Sequence, residues 1–265
     1  MTLLQSIFLG ALQGVAEFLP ISSSGHLVVF RHFMELGEVP ILFDVLLHCA
    51  TLLVVIIVFR KTILELLKSL FRFITRKTGD RDRTNLRLIA VILTASVFTA
   101  ALGFFIESLD IAHKPRIVSL LFIVTAAVLL LTRFNKTEET GYKKAGFKTA
   151  LITGLAQGIA VFPGISRSGM TISASLFTGI GKEKAGEYSF LLSIPAILGA
   201  ILLEVGDLET LSNSVDPAVM IAGMVSAFMV GLASILALLR LLKRSKLYLF
   251  SFYLIPFGIF SFIVL

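Results

Sequence analysis

Residues 10–25 read GALQGVAEFLPISSSG, and residues 154–169 read GLAQGIAVFPGISRSG. The two segments align without a gap and are identical at nine of sixteen positions. The aligned positions that differ include the most reactive side chains in or beside the segments: Glu17 against Val161, Ser23 against Arg167, and His26 against Met170. A shared frame with different polar residues predicts one site built from two unlike halves.

The composition predicts an all-α integral membrane protein. The 265 residues are 56% hydrophobic, and their mean hydropathy is +0.94, well above the values of soluble proteins. The net charge of +7 is explained by basic loops that set membrane orientation, so it does not indicate a nucleic-acid partner. Membrane lipid is the expected surrounding.

Hydrophobic segments of about 20 residues, the length that a membrane-spanning helix needs, occur six times. They cover residues 41–59, 86–106, 115–134, 187–203, 217–239 and 246–265. Two further apolar regions, 3–31 and 147–181, are interrupted by Pro, Gly and Ser within the repeated segments. Because an irregular backbone cannot face lipid, each is predicted to be a re-entrant helix–loop–helix buried inside the protein.

The spans divide a single membrane domain, 1–265, into two repeats of about 1–134 and 147–265. Each repeat has one re-entrant pair and three membrane-spanning helices. Because three is odd, the second repeat must enter from the opposite side, which predicts an inverted-topology repeat with its site near the membrane midplane.

Basic residues predict the orientation. Twenty of the 24 Lys and Arg residues fall on one side of this arrangement, in segments 60–87, 133–148, 182–184 and 240–246. The other side carries Arg31, Lys114, Arg116, Glu204, Asp207, Glu209 and Asp216. The basic side should be cytoplasmic. Segment 60–87 contains ILELLKSLFRFI, which fits an amphipathic helix on the membrane surface or a solvated basic loop.

Gln13 and Glu17 lie four residues apart, so a helix places both side chains on one face. Carboxylate and amide oxygens are the ligands that a hard divalent cation prefers. Two structural alternatives stay open: Glu17 accepts backbone hydrogen bonds in the broken loop, and Gln13, like Gln157, joins helices by hydrogen bonding.

Hydroxyl side chains open the second helix of each broken pair. Backbone N–H groups at a helix N-terminus attract anions, and hydroxyls add hydrogen-bond donors. The candidate phosphate-binding residues are Ser22, Ser24, Ser166, Ser168 and Thr171. Plain helix capping by Ser is compatible with this role.

The remaining candidates are Arg167, Ser23 and His26. The guanidinium of Arg167 fits phosphate or carboxylate, and an ion pair with Glu17 is the alternative. His26 could act as an acid, a base or a nucleophile, or be held by hydrogen bonds. Either Ser23 or His26 could attack or position water. Asp44 and His48, also four residues apart, could line the cavity, but support of the site by hydrogen bonding is the favoured role.

These residues suit a phosphorylated group attached to a lipid. Positive charge from Arg167 and a metal would stabilise the charge that develops on phosphate oxygens during phosphoryl transfer. A flippase or transporter for such a lipid-linked phosphate is the alternative, because inverted repeats with broken helices are typical of transporters.

QGVAEFLPISSSGH at 13–26 and PGISRSGMT at 163–171 resemble the two signature segments of the bacterial undecaprenyl-diphosphatase family, also called the bacitracin resistance family. The similarity covers essentially the whole chain, including EYSFLLSIPAILGA at 187–200. It implies a multi-pass phosphatase of the bacterial inner membrane. Such an enzyme converts undecaprenyl diphosphate, a polyprenyl diphosphate lipid, to undecaprenyl phosphate and thereby recycles the carrier for cell-wall synthesis.

The resemblance also implies residue roles. Glu17 falls on the acidic motif, Ser23 on the proposed nucleophile, His26 on the catalytic histidine and Arg167 on the phosphate-binding arginine. Family members need Mg²⁺ or Ca²⁺, and Gln13 is the Gln form of a position that is Glu or Gln. The family is thought to work on the periplasmic face. The oligomeric state is left open, a homodimer included.

Overall fold

The computed structural model describes residues 1–36, 39, 41–107, 115–135, 141–142, 144–205 and 216–265. Across these ranges the regular secondary structure is helical. The α-helices are α1 Leu3–Phe18, α2 Ser23–Phe33, α3 Ile41–Val58, α4 Arg60–Ile74, α5 Asp80–Glu107, α6 Pro115–Leu131, α7 Phe147–Ile159, α8 Arg167–Phe177, α9 Lys182–Val205, α10 Pro217–Lys243 and α11 Ser251–Val264.

The six predicted spans correspond to α3, α5, α6, α9, α10 and α11. In the described part of the chain, five stretches are long and apolar enough to cross a membrane, and the bent pair α3–α4 raises the number to six. The prediction of an all-α integral membrane protein is confirmed. The repeat boundaries and the inverted topology stay predictions.

Both predicted interruptions occur where the sequence places them. α1 ends at Phe18 because Leu19 precedes a proline, which disfavours the helical region, and Leu19 is extended (ψ 144°). Between α7 and α8, Gly164 has φ +96°, which suits glycine. The two arms of each hairpin contact each other, α1 with α2 and α7 with α8.

The helix contacts of the two repeats mirror each other. α1 packs mainly on α10, whereas its counterpart α7 packs mainly on α5, the counterpart of α10. Glycines shared by the repeats permit this close packing. A Cβ at Gly14 would lie 2.6 Å from the carbonyl oxygen of Ala227, and one at Gly154 would lie 2.5 Å from that of Ala95.

The segment after α3 is a helix, α4, bent by 77° from α3. Of the two alternatives for segment 60–87, this portion is therefore helical. Asp82 fastens it to α5, because its carboxylate accepts hydrogen bonds from Ser69 Oγ (2.7 Å) and Arg72 Nε (3.0 Å). Leu64, Leu67 and Phe71 form an exposed apolar stripe, as expected of an interfacial helix.

Of the basic segments of the orientation prediction, 60–87 covers α4 and the start of α5, 182–184 begins α9, and 240–246 spans the end of α10. Segment 133–148 runs from just after α6 to the start of α7. Five residues that entered the prediction lie outside the described residues: Lys114, Lys136, Lys143, Asp207 and Glu209.

Candidate active site

The tips of the two hairpins touch. The backbone N–H of Gly164 donates to Ser22 Oγ at 3.1 Å. The contact is tight, since a Cβ at Gly25 would lie 2.7 Å from the nitrogen of Gly164. Ser22 and Ser166 cap their helices, accepting hydrogen bonds from Gly25 N–H (3.4 Å) and Gly169 N–H (3.2 Å). The duplicated segments therefore meet where the second helix of each hairpin, α2 or α8, is capped.

Glu17 is the centre of the polar contacts at this junction. Arg167 donates from Nη2 to Glu17 Oε1, which joins the two hairpins by an ion pair. Ser23 Oγ donates to Glu17 Oε2 at 2.6 Å, and Gln13 Nε2 donates to the same oxygen at 3.2 Å. The carboxylate is 5% exposed, so its charge is held by these donors rather than by water.

Arg167 has donor capacity left over. Its Nη1 is buried and has no hydrogen-bond partner in the described part of the chain. A buried N–H without an acceptor costs free energy, and a bound phosphate oxygen would remove that cost. The ion pair with Glu17 and the binding of an anion are therefore compatible roles for one guanidinium.

A cavity of about 500 Å³ begins at this ion pair. Glu17, Ser23, Ser24, His48 and Arg167 line its polar part, together with Ser22 and Ser166. Its walls come from α5, α9 and the end of α7, and they are mostly apolar: Ala100, Gly103, Phe104, Ala160, Val161, Ile197, Ala200 and Leu203. The lining combines charged and apolar groups, as an amphiphilic ligand requires.

His26 is not brought together with Glu17 and Arg167. It is absent from the cavity lining, and both ring nitrogens have partners: Nδ1 lies 2.8 Å from the carbonyl oxygen of Ser22, and Nε2 lies 2.8 Å from Tyr253 Oη. The ring of Phe257 stacks on the imidazole at 4.4 Å. Of the two alternatives for His26, the observed state is the hydrogen-bonded one.

Two candidate phosphate ligands also lie away from the cavity lining. Thr171 Oγ1 donates to the carbonyl oxygen of Arg167 (2.8 Å) and pairs with Ser189 Oγ (2.5 Å). Ser168 Oγ lies 3.3 Å from Ser166 Oγ and 3.5 Å from the carbonyl oxygen of Leu19. Their hydroxyls are used inside the protein, so they support the loop that carries Arg167.

Gln13 and Glu17 fit a divalent cation by chemistry. Gln13 Oε1 is buried and lacks a hydrogen-bond partner among the described residues. Its amide nitrogen lies 3.2 Å from Glu17 Oε2, so a half-turn of the amide would place two oxygens side by side. In the described ranges, no group of three or more His, Cys, Asp or Glu could hold a metal, so water or a ligand would have to complete the shell.

The sequence indicates a lesser role for His48 than the structure shows, and it does not identify Tyr253. His48 lines the cavity itself, and its Nδ1 lies 3.3 Å from Gln13 Nε2 and 4.0 Å from Glu17 Oε2. Asp44, its presumed companion, pairs with Arg31 instead. Tyr253, the partner of His26, lies 227 residues away, and no local pattern marks it.

The fold and the site together define the class of protein: an integral membrane protein whose two broken helical hairpins build a cavity suited to an anionic, lipid-linked group. The chain belongs to the bacitracin resistance protein BacA family, whose model matches residues 6–260.

Similar proteins agree in name. The chain is 49% identical to an undecaprenyl-diphosphatase of Treponema denticola, covering 98% of this chain and 96% of the relative. It is 44% identical to an undecaprenyl-diphosphatase of Borrelia recurrentis (96% and 95%). A third relative of the same name, from Desulfosudis oleivorans, is 40% identical (96% and 96%).

Proposed function

We propose that this chain hydrolyses undecaprenyl diphosphate to undecaprenyl phosphate and inorganic phosphate. It would act in the inner membrane of a bacterium and return the lipid carrier to cell-wall synthesis. The observation that carries the proposal is the contact of Arg167 with Glu17 beside Ser23, at the charged end of an apolar cavity. The names of the relatives support the same substrate.

The diphosphate would bind between the hairpin tips and the prenyl chain along the apolar walls. Arg167 Nη1, which lacks a partner among the described residues, would donate to a phosphate oxygen, and Ser24 faces the same space. Phe104 and Leu203 lie at the ends of α5 and α9 that are opposite to the basic segments. By the charge rule, the substrate would therefore enter from the non-cytoplasmic leaflet.

Ser23 would be the nucleophile, because its Oγ already donates to Glu17 Oε2 at 2.6 Å. Its Oγ attacks the terminal phosphorus, and the bond from that phosphorus to the bridging oxygen breaks. The proton of Ser23 passes to Glu17 and then to the leaving undecaprenyl phosphate. Water next attacks the phosphoserine, and Glu17 takes a proton from this water and returns it to Ser23 as the second P–O bond breaks.

Glu17 and Gln13 would hold Mg²⁺ or Ca²⁺. When bound, the cation would neutralise negative charge on the diphosphate oxygens. Arg167 and the cation would then share the charge of the headgroup, while Ser166 and Ser168 hold the backbone around Arg167. Association of two copies into a homodimer stays a prediction.

Phosphate release in lipid nanodiscs tests the proposal. Purified protein with undecaprenyl diphosphate and Mg²⁺ or Ca²⁺ should release inorganic phosphate. Arg167→Ala should lower kcat/KM by at least about 100-fold, the size expected when a preorganised charge partner is removed. Arg31→Ala is the matched control, because Arg31 also pairs with a carboxylate, Asp44, but does not line the cavity.

Arg31→Ala should retain activity within about threefold, since only a partly exposed ion pair is lost. Melting curves of both variants confirm that they are folded. Absence of phosphate release from the folded wild-type protein would overturn the proposal. Equal losses of kcat/KM in the two folded variants would show that Arg167 does not bind the phosphate.

A further inference from the structure

We infer that Tyr253 is a positioning residue: through His26 it fixes the backbone turn that presents Ser23 to Glu17. The inference rests on the proposed function for its kinetic part. The observation that carries it is a chain of hydrogen bonds from Tyr253 Oη to His26 Nε2 (2.8 Å) and from His26 Nδ1 to the carbonyl oxygen of Ser22 (2.8 Å).

The partners fix the state of the imidazole. A carbonyl oxygen only accepts, so Nδ1 must carry the hydrogen that it donates to Ser22. In the neutral ring, Nε2 is then the acceptor, and Tyr253 donates to it. Phe257 stacks on one face of the ring at 4.4 Å, and Phe122 meets it edge-on at 5.0 Å. His26 is fully buried and outside the cavity lining, so its hydrogen bond to Ser22 is the link to the site on which the inference rests.

Ser22 has a backbone conformation that needs support. Its φ is +72° and its ψ is 99°, a region that non-glycine residues rarely adopt and that persists only where neighbours hold it. Its carbonyl accepts from His26, and its Oγ accepts from Gly164 N–H. The next residue is Ser23. Relaxation of Ser22 would turn the peptide that precedes Ser23 and move Ser23 Oγ away from Glu17.

The second hairpin lacks both the strained cap and the histidine side chain that holds it. Its cap, Ser166, has an ordinary extended backbone, with φ −79° and ψ 116°. Met170 occupies the position that aligns with His26 and offers no hydrogen bond of this kind. The imidazole and its tyrosine therefore accompany only the strained cap, which a purely packing role for His26 would not require.

Tyr253→Phe tests the inference, because it removes the hydroxyl and keeps the ring. We expect kcat to fall about five- to tenfold, the effect of one net hydrogen bond, with KM unchanged because Arg167 and the cavity walls are intact. Tyr248→Phe is the matched control, since the Tyr248 ring packs under Arg133 (5.7 Å) away from His26; it should leave kcat unchanged. An unchanged kcat in Tyr253→Phe would overturn the inference.

A pair of substitutions at His26 separates positioning from chemistry. His26→Asn keeps an N–H donor near the carbonyl of Ser22, whereas His26→Ala does not. We expect His26→Asn to retain at least about ten times the kcat of His26→Ala, by the loss of a hydrogen bond that holds a strained residue. Equal losses in both folded variants would mean that the imidazole itself reacts, and would overturn the inference.

A spectroscopic measurement is independent of phosphatase activity. The ¹⁵N resonances of His26 in labelled protein should show the Nδ1–H form, and the Nε2 resonance should move in Tyr253→Phe. A resonance that does not move contradicts the inference even if the enzyme is active. A wild-type protein that shows the expected resonances but releases no phosphate contradicts the proposed function. It would still support the hydrogen bonds from Tyr253 to His26 and from His26 to Ser22.

Discussion

The two hairpin tips have the same frame and different chemistry. Both have a glutamine on the first helix, a serine cap and a glycine one turn into the second helix. The first tip adds a carboxylate, Glu17, and a hydroxyl, Ser23, whereas the second adds Val161 and Arg167. In the proposed mechanism, the first copy supplies the proton acceptor and the nucleophile, and the second supplies the guanidinium.

The residues that the repeats share and those that differ have different surroundings. The shared glycines lie where helix backbones touch: Gly14 of α1 contacts α10, and Gly154 of α7 contacts α5. The shared serines cap helices. Glu17 and Arg167, at positions that differ between the repeats, form one ion pair. Shared glycines and serines thus serve packing and capping, whereas the ion pair forms between residues at positions that differ.

Exchanging the carboxylate between the tips should give the largest effect. Glu17→Val should lower kcat at least about 1,000-fold, because the proton acceptor and the partner of Arg167 are both lost. Adding Val161→Glu should not restore activity, because the Val161 side chain packs beside Gly103 of α5. A Cβ at Gly103 would lie 3.4 Å from Val161 Cγ2. Phosphate release by the single and double variants measures this; recovery in the double variant would contradict the separate roles of the tips.

Loss of the nucleophile should be nearly as severe. Ser23→Ala should reduce kcat about 100- to 1,000-fold with little change in KM, because binding by Arg167 persists. Ser96→Ala is the control: Ser96 lines the same cavity, but its Oγ donates to the carbonyl oxygen of Ile92 (2.9 Å). Steady-state kinetics should show Ser96→Ala near wild type. Similar kcat values for the two variants would exclude Ser23 as the nucleophile.

Separation of the tips should cost stability and activity together. Gly25→Ala places a methyl group 2.7 Å from the backbone of Gly164 and from Phe122, and such overpacking costs about 1–3 kcal/mol. Gly199→Ala is the matched change in the cavity wall, where a Cβ meets nothing within 4 Å. Thermal melting should show a lower midpoint for Gly25→Ala only. A midpoint equal to that of Gly199→Ala would show that the tips are not tightly packed.

The two glutamines provide the smallest contrast. Gln13→Ala should raise the half-saturating Mg²⁺ concentration about tenfold, the usual range for weakening a metal site. Gln157→Ala should not, because Gln157 Nε2 donates to Thr99 Oγ1 (3.2 Å) and its tip lacks a carboxylate. Activity titrated with Mg²⁺ after EDTA treatment measures both. If both variants had the same half-saturating Mg²⁺ concentration, Gln13 would not be a metal ligand.

The internal repeat made the site largely predictable, and tertiary packing made the rest unpredictable. Prolines, glycines and capping serines locate the breaks, and the unlike polar residues of the two breaks indicate that Glu17 and Arg167 meet. The surroundings of His26 depend on Tyr253 and Phe257 of α11, which no local signal connects to α2. Likewise, periodicity alone does not decide between a helix and a loop for α4, since Asp82 fastens it from α5.

The most direct test of the shared site is a pair of distances in one sample. With a non-hydrolysable prenyl diphosphonate bound, solid-state NMR can measure the separation of the terminal phosphorus from an Arg167 side-chain nitrogen and from the Ser23 Cβ. We predict that both lie within about 5 Å of the same phosphorus, as direct hydrogen bonding requires. A phosphorus close to only one of the two residues would contradict a site assembled from both hairpins.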